Sequence, residues 1–341
     1  MMLDVFNNDA FSVTSLTDFI NEIKYRPGRI GELGLFDRSA VTTTSIAIER
    51  IGDTIQLVAP SPRGAPGETR TTPKRSVLSL QIPHFQRDWS VMADEVQGVR
   101  GMGEEQAVMT VQQLVDQKLA DNQADLAVTE EAIRLSAITG IVEYADGTTL
   151  NLYTAFDRTA PTEVDFDLDN ATPADGALRK KCTDVIRAMR SALGATPFQG
   201  VHSFCSDNFF DDLLRHKEVR DTYKGHSEAA ILRDSYVGPN RGSNPIFQFG
   251  GITFENYGEV GSNGVGVATN KCRFFPLGVT GLFRTYDGPA DYIDEVNTAP
   301  GQQFHSRQRP MENDKGIKGE TQMNCLNICT RPDVLMSAKR T

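Results

Sequence analysis

Residues 103–139 read GEEQAVMTVQQLVDQKLADNQADLAVTEEAIRLSAIT, and from Glu104 to Thr139 the run holds no proline and no glycine. Val108, Val111, Val115, Leu119, Asn122, Leu126, Ile133 and Ala137 fall on one stripe, at spacings of mostly three and four, the period of an α-helix. Glu104 and Glu105 suit the positive end of such a helix. At about 1.5 Å per residue it would be roughly 50 Å long, beyond the usual helix of a globular domain. The stripe does not keep a strict a/d repeat, and Asn122 and Asp125 interrupt it, which weakens a coiled-coil reading.

On the N-terminal side, Ser45 to Val58 and Ser76 to Val91 have strand character, with Ile46, Ile48, Ile55, Leu57, Val77, Leu80 and Ile82 in partial alternation. Together 45–91 reads as one long hairpin. Its tip, residues 59–75, is APSPRGAPGETRTTPKR: four prolines, two glycines, and Arg63, Arg70, Lys74 and Arg75 against a single Glu68. A hairpin needs only about two to five linking residues. The prolines cannot donate ladder bonds, and a two-stranded ribbon alone is marginal in water. The hairpin is therefore expected to rest on something, most simply a second subunit. Further upstream, residues 1–40 read as an arm. Its TSLTDFINEIKY stretch (14–25) forms a short helix with Leu16, Phe19, Ile20 and Ile23 on one apolar face, ended by Arg26, Pro27 and Gly28. That face has to be buried on the same chain or on a neighbour.

On the C-terminal side, 141–156 reads as a hairpin turning at Asp146-Gly147, and the polar, acidic 157–176 as a loop. A helix around Leu178–Leu193, a strand at Val201–Cys205 and a helix around Asp207–Lys217 make a mixed α/β region. Residues 235–251 are turn-rich, and strand-like runs follow. No repeat period is evident.

The chain has 341 residues and a net charge of −10. That length calls for two domains or long excursions, and that charge argues against a protein built mainly to grip nucleic acid. No stretch approaches the roughly 18 apolar residues of a membrane span. The start, MMLDVFNNDAF, has no secretory pattern. Five scattered cysteines suggest reduced thiols in a cytoplasm.

Few residues invite a chemical reading. Asp165, Asp167 and Asp169 open like a calcium loop, but the sixth and twelfth positions hold Asn170 and Gly176 instead of Gly and Glu; an acidic solvated loop is favoured. Cys325 and Cys329 lack a second pair for zinc, and Cys182, Cys205 and Cys272 are single, so buried small residues are favoured. Gly225-His226-Ser227-Glu228-Ala229 resembles a nucleophile elbow but follows a charged helix rather than a buried strand. The glycines at 258, 261, 264 and 266 are followed by a strand, so a turn is favoured over a phosphate cradle. His84, His202, His216, His226 and His305 share no metal-binding spacing, and Trp89 reads as core. No constellation forms a catalytic site, and no cofactor or metal is expected.

The final third carries a resemblance. FGGITFENYGEV, NKCRFFPLGVTGLFRTYDGPADYIDEVNTAPGQQFHSRQ and GETQMNCLNICTRPDVL closely resemble the major capsid protein E family of lambda-like tailed bacteriophages. The block F-P-x-G with the later P-A-D-x-x-x-x-V-N-T, and Asn324-Cys-Leu followed by Cys329-Thr-Arg-Pro, carry the likeness. The order of elements fits along the whole chain.

The resemblance implies an α+β tailed-phage major capsid fold. It places an N-terminal arm at 1–44 and an extended β-hairpin loop at 45–95, lying across a neighbour. A peripheral domain would take 96–157 and 284–341 with a spine helix at 104–139, and an α/β axial domain 158–283. Arg63, Arg70, Lys74 and Arg75 would then make inter-subunit contacts, Leu16, Phe19, Ile20 and Ile23 would pack the arm helix, and Val111, Val115, Leu119 and Leu126 the spine helix. The implied function is a non-enzymatic shell tile. It assembles in the bacterial host cytoplasm as pentamers and hexamers into an icosahedral virion capsid, matures from a procapsid by conformational change, and encloses double-stranded DNA without reading its sequence. Implied partners are further copies of itself, a separate scaffolding protein (the chain leaving no room for a built-in segment), a portal protein and a small decoration protein; no membrane is implied. Lys74 lies in the loop where some members cross-link, but no motif identifies a partner Asn, so no cross-link is predicted. The alternatives are an encapsulin-type cellular nanocompartment shell of the same fold, or a soluble α/β hydrolase.

Overall fold

The computed structural model describes residues 20, 28–50, 76–96, 111–170, 172–194, 196–224, 244–261, 264–295, 300–312 and 315–341. In chain order its strands are Asp37–Ala40 (β1), Ser45–Arg50 (β2), Ser76–Gln81 (β3), Phe85–Met92 (β4), Ile141–Glu143 (β5), Thr149–Asn151 (β6), Val164–Asp165 (β7), Gly200–Cys205 (β8), Ile246–Phe249 (β9), Ile252–Asn256 (β10), Lys271–Leu277 (β11), Phe283–Asp287 (β12), His305–Pro310 (β13), Gly316–Met323 (β14), Cys325–Cys329 (β15) and Met336–Lys339 (β16).

The long helix runs Val111–Thr139; the expected start at Glu104 lies outside the described residues. Its two halves are buried differently. In the first, Val115, Leu119, Gln123 and Leu126 make a single buried row facing the three-stranded sheet β13-β14-β4. In the second, Glu130, Glu131, Ile133, Arg134, Leu135, Ala137 and Ile138 are all buried, because the helix there is packed on several sides, including β5 and β15. The expected stripe named Asn122 where the structure buries Gln123. Asn122 is half-buried and donates weakly to Thr321 Oγ1 at 3.4 Å.

The expected hairpin of 45–91 is divided. β2 and β3 pair antiparallel, from Ser45↔Gln81 to Arg50↔Ser76. At Pro83, which has no N–H to donate, the ladder stops, and β4 leaves to pair with β14. The register sets Trp89 opposite Gly319. A Cβ added at Gly319 would stand 2.1 Å from the indole ring, so only glycine admits this tryptophan. The hairpin base rests on its own chain, since Ile46 and Leu80 join the main core, while Val77 is 64% exposed.

A six-stranded sheet of order β7-β16-β11-β8-β10-β9 forms the α/β region. The helix Ala177–Leu193 covers it with Leu178, Cys182, Val185, Met189 and Leu193, a 4-3-4-4 spacing that keeps one face inward. The acidic stretch expected to be a plain loop contains β7 and buries Phe166 and Leu168 in that core. The expected peripheral segment 284–341 does not stay together, because β16 returns to the sheet between β7 and β11, where buried Met336 and Ala338 alternate with half-exposed neighbours. A third sheet, β1-β12-β15, adjoins the long helix.

Candidate functional site

Polar side chains on the long helix each hold a different segment of the chain. Gln123 Nε2 donates to the backbone oxygen of Ile20 at 2.8 Å, and Ile20 is fully buried in the cluster with Val115, Leu119 and Leu126. Glu131 Oε1 accepts the Ile30 N–H at 2.7 Å and the Tyr257 hydroxyl at 3.0 Å. A Cβ at Gly28 would come within 2.2 Å of the Glu131 carboxyl carbon, so this approach requires glycine. Glu130 accepts from Arg134 Nη2 at 2.7 Å and Gln303 Nε2 at 3.1 Å and pairs with Arg38 of β1. Arg38 Nε in turn lies 3.5 Å from Asp287 of β12.

A second carboxylate reinforces the grip on residues 28–32. Glu255 of β10, fully buried, accepts from Arg29 Nε at 2.6 Å and Arg29 Nη2 at 3.1 Å. It also pairs with His202 Nε2 of β8 at 2.9 Å and accepts from Asn244 at 3.3 Å. Residues 28–32 are thus clamped between the long helix and the six-stranded sheet. A bidentate guanidinium–carboxylate pair fixes orientation as well as distance.

Burial and pairing pull these groups in opposite directions. Burial drives the Glu131 carboxyl up, against hydrogen bonds from Ile30 and Tyr257, and its pKa ends raised. For Glu255, burial again pushes up, but the bonds from His202 and Arg29 together outweigh it and the carboxyl lies below its ordinary value. Asp287 is pushed up to about 6, chiefly by burial, with Arg38 opposing.

This arrangement holds segments together and does not offer a reaction centre. The His202–Glu255 pair has the form of a base dyad, but Arg29 fills the other side of the carboxylate, and the imidazole lies against the Phe204 and Phe275 rings. Among the described residues no group of three or more His, Cys, Asp or Glu could hold a metal ion. The aspartates of 165–169 are used locally: Asp165 accepts the Asp167 N–H at 2.8 Å and meets Lys339 Nζ at 3.1 Å. Cys325 and Cys329 are buried at the two ends of β15. The two described ends of the glycine-rich stretch meet, Val267 N–H donating to Gly258 O at 2.9 Å. No described helix is long and apolar enough to cross a membrane. The elbow-like segment 225–229 lies outside the described residues.

Of the expected packing residues, Ile20, Val115, Leu119 and Leu126 come together in one buried cluster. Leu16, Phe19, Ile23, the Val111 side chain, Arg63, Arg70, Lys74 and Arg75 lie outside the described residues. Sequence reasoning missed Gln123, Glu130, Glu131 and Arg134. The available signal was the run TEEAIRLSAI, in which apolar residues occupy several helix faces and leave the charges little access to solvent. Beside this stretch, Val128, Ile141 and Val260, 48%, 42% and 55% exposed, border a groove of about 580 Å³.

Comparison with known proteins agrees with an assembly role. Over 96% of its length the chain is 26% identical to a major capsid protein of Pseudomonas phage KPP10, of which 97% is covered. It is 25% identical to a major capsid protein of Salmonella phage Felix O1, covering 99% of this chain and 98% of the relative. The fold matches a crystal structure described as a candidate prophage capsid protein of E. coli CFT073, with TM-score 0.58, 14% identity and coverage of 97% and 99%. The family model for phage major capsid protein E matches residues 12–340, and that family is structural, not enzymatic. With nearly every residue inside that match, the chain belongs to the phage major capsid protein E family.

Proposed function

We infer that this chain is the tile of an icosahedral tailed-phage shell, assembling as pentamers and hexamers around double-stranded DNA in the bacterial host cytoplasm. The family match across 12–340 carries that reading. The clamp on residues 28–32 supports it, because a tile that shares an arm with its neighbours needs a fixed point from which the arm leaves. The long helix with β4, β13 and β14 makes the peripheral part, and the six-stranded sheet, with β16 included, makes the axial part. The basic tip around Arg63, Arg70, Lys74 and Arg75 docks on the acidic surface of the next subunit. Many weak contacts of this kind sum to a stable particle. Maturation from a procapsid moves arm, loop and helix without catalysis by this chain. A separate scaffolding protein, a portal protein and a decoration protein complete the assembly.

Sedimentation velocity of the purified chain, alone and coexpressed with the products of neighbouring genes, tests this. Material sedimenting as capsomers or whole shells is expected. A single small species under both conditions would overturn it.

A further inference from the structure

Cys205 ends β8 and Cys272 lies near the start of β11, and the antiparallel register sets them directly opposite each other. The next pair, Ser206 and Lys271, is hydrogen-bonded, with Ser206 N–H donating to Lys271 O at 3.0 Å. Bonded and non-bonded pairs alternate along such a ladder, so Cys205 and Cys272 occupy a non-hydrogen-bonded position, where the backbones come closest. Their Sγ atoms stand 3.2 Å apart. A disulfide needs about 2.05 Å between the sulfurs and Cα atoms about 4.4–6.8 Å apart, a span that this kind of strand pair already provides. Both thiols are fully buried, and neither belongs to the clamp described above. Cys182, on the covering helix, shares their core but has no cross-strand register with either.

We propose that Cys205 and Cys272 form an oxidisable dithiol, which peroxide converts to a cross-strand disulfide once the particle has left the reducing cytoplasm. Thiols made in a cytoplasm stay reduced there and oxidise outside it. In the first step one thiolate attacks a peroxide oxygen and the O–O bond breaks, giving a sulfenic acid and, with the thiol's proton, water. The second sulfur then attacks the sulfenic sulfur. The S–O bond breaks, the hydroxyl leaves with the second thiol's proton as water, and the S–S bond forms. Two thiols are oxidised by two electrons and one peroxide is reduced to two waters. The bridge joins β8 and β11, the middle pair of the six-stranded sheet. Burial holds the Cys272 thiol well above the ordinary thiol range, so thiolate is scarce in the folded chain and closure is slow. Only the extracellular setting rests on the shell reading; the chemistry is tested on the chain itself.

The purified full-length chain is incubated with hydrogen peroxide, quenched with catalase, and unfolded in iodoacetamide without reductant for mass spectrometry. The expected result is an intact mass lower by two hydrogens before alkylation, two of the five thiols escaping alkylation, and a Cys205–Cys272 linked peptide. In Cys205→Ser that linked peptide is absent. Five alkylated thiols, sulfinic acid on separate cysteines, or a linkage through Cys182 would overturn the proposal, whether or not the chain forms particles.

Discussion

Glu131, two-thirds of the way along the long helix, accepts the backbone N–H of Ile30 at 2.7 Å, across 101 positions of sequence. With Arg29 held by Glu255 on the opposite side, two carboxylates from different layers fix residues 28–32.

Replacing Glu131 by Ala strands two donors, the Ile30 N–H and the Tyr257 hydroxyl. Each buried orphan costs about 1–3 kcal/mol, so a loss of about 2–6 kcal/mol is expected in urea unfolding of the unassembled chain. Glu131→Gln keeps an acceptor oxygen and should lose about 1 kcal/mol. Equal, negligible effects of both variants would show that this contact does not hold residues 28–32.

Leu119 is fully buried beside Ile20 and Val115. Leu119→Ala should cost about 2–5 kcal/mol, and Leu119→Asp, which buries a charge in the same place, should leave too little stability for a cooperative melt. An unchanged melting temperature would mean that the first half of the helix is not covered as described.

Asp287 gives a pH dependence with a definite sign. Its folded pKa is raised from 3.8 to about 6, so the folded state holds its proton more tightly than the unfolded chain. Its contribution is fully present below pH about 4 and is lost as pH rises through about 6. Two pKa units correspond to about 3 kcal/mol as an upper bound. Asp287→Asn should flatten the stability profile across that window; an unaltered slope there would contradict the assignment.

Gly319→Ala tests the β4–β14 pairing. The added methyl collides with the Trp89 ring, and a loss of about 1–3 kcal/mol is expected from overpacking. A variant as stable as the parent would place the indole elsewhere.

Much of the architecture could be read from the sequence because apolar spacing reports it directly. The uninterrupted run ending at Thr139, the stripe of Leu178 to Leu193 and the Asp146-Gly147 turn each announce their element. What spacing cannot reveal is which distant segment supplies the partner. Pro83 marks a break, but nothing local says that the strand beyond it pairs with Gly316–Met323, or that Met336–Lys339 returns to the six-stranded sheet. The clamp was hidden for a related reason. Nothing local joins Glu130 and Glu131 to Arg38, Ile30, Tyr257 and Gln303, which the fold brings from distant parts of the chain.

The basic tip contributes its test at the level of assembly. Deleting residues 61–73, which removes Arg63 and Arg70, should block stable shells while leaving the melting of the unassembled chain unchanged. Normal particles from the deletion variant would refute docking through this tip.

Negative-stain electron microscopy of the chain coexpressed with the products of its neighbouring genes tests the shell itself most directly. Polyhedral particles, or five- and six-fold rings, are the expected images. A uniform small oligomer with and without those partners would contradict a shell-forming role.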